Sequence, residues 1–162
     1  MSRQKTGQRL NATDFYATPP WCYENLDIDW KMFASAHEPC RGDGRIQFFL
    51  EEEQRIPCSY SEIMEDKDFF DWSTPVDLIL TNPPFSLAKE FIEHSVVIAP
   101  TVLMLLRINY LGSIGRHKWW KQYTPTALRQ KTYLYRGPVI VFRLSGLEVV
   151  QLRKCREVNE HL

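Results

Sequence analysis

What the chain has little of narrows it first. No stretch of its 162 residues approaches the length and apolarity of a membrane-spanning helix. The polar start Met1-Ser2-Arg3-Gln4-Lys5 is not followed by the apolar segment of a signal peptide, so a cytoplasmic protein with no membrane partner is expected. Four cysteines, Cys22, Cys40, Cys58 and Cys155, have no short paired spacings. This argues against a zinc site and gives no disulfide framework, and free thiols suit a reducing compartment. His37, His94, His117 and His161 are isolated along the chain, so no metal is expected. Glycine is scarce, with seven residues and no complete Gly-x-Gly-x-x-Gly fingerprint. Nor is there an excess of either charge, since twenty basic and twenty acidic side chains cancel.

The balance hides an asymmetry. Residues 24–77 carry fourteen acids and five bases, whereas residues 114–162 carry ten bases and three acids. A basic end beside Trp119, Trp120, Tyr123, Tyr133 and Tyr135 suits a phosphate backbone and stacked bases. An ordinary solvated charged surface explains the same pattern. The length fits one domain with a core of its own. We divide the chain into a loose arm over residues 1–13, a domain over 14–144 and a basic tail over 145–162.

The chain is organised around Thr81-Asn82-Pro83-Pro84-Phe85, which follows the apolar run Val76-Asp77-Leu78-Ile79-Leu80. Such a run ended by two prolines reads as a buried strand stopping abruptly, because proline has no N–H to continue a ladder. The loop therefore starts at a strand's carboxyl end, where open α/β sheets bind ligands. Two prolines fix the backbone, so the Asn82 amide and the Pro83 carbonyl become rigid acceptors beside the flat face of Phe85. That arrangement suits a planar ring carrying an exocyclic amine. A proline turn closing a core strand explains the five residues equally well.

The loop resembles the catalytic Asn-Pro-Pro-(Phe/Tyr) motif of S-adenosylmethionine-dependent amino-methyltransferases, above all the DNA adenine-N6 enzymes. Other segments resemble that family in the same order. Phe15-Tyr16-Ala17-Thr18-Pro19 is similar to the wall of the cofactor's methionine side, although Thr18 before Pro19 and Pro20 also reads as a helix start. Glu38-Pro39-Cys40-Arg41-Gly42-Asp43-Gly44 resembles the cofactor loop. There Glu38 would neutralise the methionine ammonium, while Gly42 and Gly44 would pass beneath the cofactor. Glu62, after a short strand over residues 56–62, is the expected acceptor for ribose hydroxyls. Asp68-Phe69-Phe70 resembles the adenine-binding motif, with a carboxylate on the amine and an aromatic on the ring, and Asp71 and Glu65 are nearby competitors for the carboxylate. Asn109, Tyr110 and Arg116, in a segment similar to the family's target side, are the expected acceptor-binding residues, though a strand-end turn explains the first two nearly as well.

Strand and helix patterns alternate from 33 to 106, with helices expected after Gly44, around Ile46, Phe48, Phe49 and Leu50, and over residues 86–97. This implies a doubly wound, mostly parallel sheet. The resemblance implies the Rossmann-like fold of class I methyltransferases and is greatest to the small bacteriophage-type adenine enzymes. The implied cofactor is S-adenosylmethionine without a metal, and the implied partner is DNA. A homodimer and a host-cytoplasmic location for a phage-encoded protein are further expectations. An RNA adenine, a protein glutamine amide, or binding without turnover are the alternatives. Beyond Pro125 the motifs stop. The family's aromatic-rich closing hairpin is not recognisable, Val139–Leu144 has no obvious partner strand, and an incomplete set of C-terminal strands is expected.

Overall fold

The computed structural model describes residues 17–133 and 137–145. Phe15, Tyr16, the arm and the basic tail lie outside the described residues. Four short strands form the parallel part of the sheet: β1 (Ala36–Glu38), β2 (Cys58–Tyr60), β3 (Leu78–Thr81) and β4 (Thr101–Arg107). Two antiparallel strands, β5 (Ala127–Tyr133) and β6 (Gly137–Ser145), complete it in the order β2-β1-β3-β4-β6-β5. The sheet is therefore six-stranded and Rossmann-like.

The closing hairpin that the sequence hides is present. β6 pairs with β4 from Thr101↔Ser145 to Arg107↔Val139, and β5 pairs with β6 from Ala127↔Arg143 to Tyr133↔Gly137. The partner strand was hard to read because Arg129, Gln130 and Lys131 interrupt its apolar pattern. Charged residues are tolerated there because β5 is an edge, and they discourage pairing with another chain.

Side-chain alternation along β3 and β4 divides the core. Leu78, Leu80, Leu103 and Leu105 face one layer with Ala36, Ile46, Phe49 and Leu50, while Ile79, Val102, Met104 and Leu106 face the other with Phe91, Ile92 and Ile98. The first layer is closed by α1 (Arg45–Phe48), which runs into a π-helical turn at Phe49–Glu53. Phe48, part of the apolar pattern that marked this helix, is exposed. It lies two residues from Ile46, roughly opposite it on a helix.

The second layer is closed by α2 (Ala88–Ile98), whose buried residues Ala88, Phe91, Ile92, Ser95 and Ile98 recur at helical spacing. A short helix, α3 (His117–Gln122), is tied to α2 by a 2.7 Å hydrogen bond from Trp119 Nε1 to Glu93 Oε1. Thr18-Pro19-Pro20 opens only a 3-10 turn at Pro20–Cys22, and Pro19, not Thr18, occupies the cap position.

Asp77, the one charge in the apolar run before the proline loop, has a structural reason. Its Oδ2 accepts from the backbone N–H groups of Ala34 and Ser35 at 2.8 and 3.1 Å, and its own N–H donates to Ser35 Oγ at 3.1 Å. The clasp aligns the start of β3 with that of β1. Packing carries most of the stability. Leu103 is 1% exposed in the middle of β4. Leu103→Ala is expected to cost roughly 2–5 kcal/mol, read from urea unfolding midpoints, because the sheet cannot collapse into the void.

Candidate active site

The chain leaves β1 toward β2 and then crosses back to β3 on the other side of β1, so the topology reverses between β1 and β3. Ligands of open α/β sheets sit outside the carboxyl ends of the strands at such a point. Glu38 is the last residue of β1, and Asn82 follows the last residue of β3. The two segments singled out in the sequence thus flank one crevice.

On the β1 side, the loop after Glu38 turns through Gly42 at φ 56° and Gly44 at φ 80°, in the left-handed region that glycine enters freely. A Cβ at Gly44 would meet no atom within 4 Å, so backbone conformation rather than crowding requires glycine there. Gly44 begins α1, and the Gln47 N–H in its first turn donates to Glu38 Oε2 at 2.9 Å. Glu38 is 1% exposed. Burial pushes its carboxyl up to about 9, against the opposing Gln47 bond, so the group is neutral at pH 7. No hydrogen-bond partner of its Oε1 is found among the described residues.

Glu62 is tied into the same loop. Its Oε2 accepts from Gly42 N–H at 2.7 Å and its Oε1 from Met64 N–H at 3.1 Å, so it braces the glycine turn and caps the 3-10 turn Ile63–Glu65. Each carboxylate oxygen keeps a second lone pair. Asp68 likewise caps the turn Phe69–Asp71 by accepting from Phe70 N–H at 3.0 Å. Phe69 is 2% exposed, with Phe91 stacked at 5.2 Å and His37 at 5.8 Å between centroids. Its ring packs in the core among these neighbours, directly behind the Asp68 turn.

On the β3 side, Asn82 Nδ2 donates to Thr18 Oγ1 at 3.1 Å across 64 residues of sequence. Thr18 is buried, and this bond replaces the helix-capping role that its sequence position suggested. With the NH2 directed at Thr18, the Asn82 carbonyl oxygen is the end left to accept. Pro83 is buried, Pro84 half-buried, and Phe85 opens a 3-10 turn with its ring half-buried. The Arg107 guanidinium lies over that ring, 4.7 Å from the centroid. An exposed contact of this kind is worth roughly 0.5–1 kcal/mol.

The expected target-side residues stand in different settings. Asn109 is exposed in the turn Ile108–Tyr110. Tyr110 is buried, with Trp119 and Trp120 edge-on and the Arg116 guanidinium 3.9 Å above its ring. Arg116 Nη1 also donates to the Tyr110 carbonyl at 2.6 Å. The pair therefore pins the segment after β4, and Asn109 alone of the three presents its side chain to solvent. Sequence reasoning attached no role to Arg107 and none to His37, whose signal was only a histidine inside an apolar strand. His37 is fully buried, with Nδ1 2.8 Å from Ser59 Oγ and Nε2 2.9 Å from Ser61 Oγ, and with Trp72 stacked 4.1 Å away. Burial lowers its pKa to about 4.

A shallow cavity of about 330 Å³, lined by Pro75, Val97, Ile98 and Pro100 among others, lies at the amino ends of the strands, away from this crevice. Its polar members, Ser35 and Asp77, are already bonded to each other. Among the described residues no helix is long and apolar enough to cross a membrane, and no group of three His, Cys, Asp or Glu could hold a metal.

Sheet order and the two covering helical layers define a Rossmann-like α/β fold. Two solved structures resemble it. A Pyrococcus horikoshii protein assigned provisionally as an RNA methyltransferase matches at TM-score 0.50 with 14% identity, over 69% of this chain and 74% of that one. A Pyrococcus furiosus methyltransferase matches at TM-score 0.51 with 12% identity, over 72% and 78%. At these identities the likeness concerns the fold. No protein-family model matches the sequence. No curated protein matches it either.

The neighbours His37 and Glu38 act oppositely on stability. The unfolded chain protonates histidine below 6.5, whereas the folded one resists down to about 4, so the His37 contribution is lost as pH falls through that window. The folded chain keeps the Glu38 proton up to about 9, whereas the unfolded chain releases it above 4.5, so that contribution is lost as pH rises. The slopes offset between 4.5 and 6.5, and above 6.5 stability is expected to fall by roughly 1.4 kcal/mol per pH unit. Urea midpoints measured across this range check it: Glu38→Gln should remove the decline, and a wild-type midpoint that stays flat would contradict a neutral Glu38.

Proposed function

We propose that the chain transfers the methyl group of S-adenosylmethionine to the exocyclic N6 amine of adenine in DNA. The observation that carries this reading is the bond from Asn82 Nδ2 to Thr18 Oγ1, which leaves the amide oxygen to receive a donor, with the carbonyl of the next residue, Pro83, as the second acceptor that the motif offers. A planar NH2 satisfies both acceptors, and donation to them localises the nitrogen lone pair. Phe85 supports the ring that carries the amine. Inside a duplex that amine is shielded by the stack, so the base is taken out to reach the loop.

The residues of the β1 side fit the cofactor. When bound, S-adenosylmethionine supplies an electrophilic methyl on a sulfonium. A buried carboxyl with one oxygen unbonded suits an ammonium group, in whose presence Glu38 gives up its proton and becomes the anion. The backbone at Gly42 and Gly44 leaves room for a ligand to pass closely. Glu62 and Asp68 hold lone pairs beyond their capping bonds, for ribose hydroxyls and for the adenine amine. Thr18 and Pro19 bound the methionine side. Positioning by these groups supplies most of the acceleration, and the methylated ammonium loses its proton to water without a dedicated base.

A nucleic-acid carrier is favoured by the exposed Lys118 and Lys121 of α3 and by Arg107 at the end of β4, and we take DNA as the first reading. Adenine in RNA is the second reading, because the same loop accepts it and one fold neighbour carries that provisional assignment. Labelled methyl transfer to unmethylated duplex DNA, followed by nucleoside analysis, tests the proposal. Wild type should yield N6-methyladenine. Asn82→Ala should lower kcat about 10²–10³-fold, the usual effect of removing one preorganised polar contact. Thr18→Val should lower kcat with KM little changed, while Thr18→Ser restores it. Product on RNA alone would replace DNA with RNA, and cofactor binding without transfer to DNA, RNA or a glutamine peptide would reject the enzyme reading.

A further inference from the structure

β4 buries six successive residues and then ends in one exposed side chain, Arg107. Its backbone is held in place by pairing with Val139 of β6, so what can move is the side chain. The guanidinium makes no ion pair or hydrogen bond among the described residues, and it lies over the face of Phe85. An arginine with no carboxylate partner, resting on the aromatic ring of the acceptor loop, keeps its full charge for an incoming group. A guanidinium is also planar, and it stacks on aromatic faces as readily as it pairs with anions.

We propose that Arg107 is a specificity-determining residue that closes the acceptor site as the outer half of a stack. In the free protein its guanidinium covers the face of Phe85. A planar acceptor enters between the two, and Arg107 moves onto the acceptor's far face, leaving the ring held between Phe85 and the cation. The partners it selects are electron-rich nucleobases, whose π face attracts a cation and whose phosphates reinforce the attraction. A protein amide offers neither a wide face nor a phosphate. This inference rests on the methyl-transfer reading, which seats the acceptor on Phe85, while the NMR arm reads the Arg107 stack without turnover.

Two measurements on the full chain test it. The first follows the Arg107 side-chain protons by NMR, identified by their loss in Arg107→Lys. Phe85 should shift them by its ring current, and adenosine added with S-adenosylhomocysteine should change that shift, whereas acetamide should not. The second compares methyl transfer to a mixed-sequence oligonucleotide. Arg107→Ala should raise KM about tenfold or more with kcat less affected, and Arg107→Lys, which keeps the charge but not the plane, should restore less than half of the loss. Because the side chain is exposed, both variants should remain folded, with at most a small fall in the urea midpoint from loss of the contact with Phe85. Unaltered KM in both variants, or side-chain shifts indifferent to adenosine, would overturn the proposal. If wild type transfers no methyl group to any acceptor, the methyl-transfer reading fails separately and the NMR arm alone decides the role of Arg107.

Discussion

The parallel pairing of β1 with β3 is the constraint on which the working edge depends. Ala36 opposite Leu78 and His37 opposite Ile79 set the register, and that register puts the end of β1 level with the end of β3. Glu38 and Asn82, 44 positions apart in sequence, come to the carboxyl ends of adjacent strands across the reversal of strand order. A slip of one residue would turn every side chain of the moved strand to the opposite face. Glu38 would then lie among Phe69, Trp72 and Phe91, and His37 against α1. Burial on both faces makes that slip prohibitive.

The same strand sets the electrostatics. His37 and Glu38 are adjacent, point to opposite layers, and are both held neutral by burial at pH 7. They reach neutrality differently. Two serine hydroxyls and an aromatic stack satisfy the imidazole completely, so it has no further chemistry to offer. The carboxyl has one backbone donor and an oxygen to spare. An acid kept neutral chiefly by desolvation ionises when a cation is brought beside it, whereas a fully satisfied imidazole does not respond.

Much of this could be read from residue order. The apolar run stopped by two prolines placed a strand end and its loop, and alternation placed the parallel sheet with helices on both faces. Long-range partners were not legible. Thr18 before Pro19 has the form of a helix cap, yet its hydroxyl serves an amide 64 residues away, and no local pattern encodes that bond. Phe69 and Tyr110 stand beside polar residues in sequence but are buried by rings from other elements. β5 was missed because an edge strand can carry charge where an interior one cannot.

The Asp77 clasp has a consequence for how the chain assembles. It joins residues 42 and 43 positions apart, and until it closes, β1 and β3 have no common starting line. Closing a loop of that length costs entropy that is recovered only when the strands on either side zip together. The crevice therefore belongs to the late, cooperative part of folding. A nascent or partly folded chain carries the glycine loop and the proline loop as separate segments, with no binding surface between them until the sheet has formed.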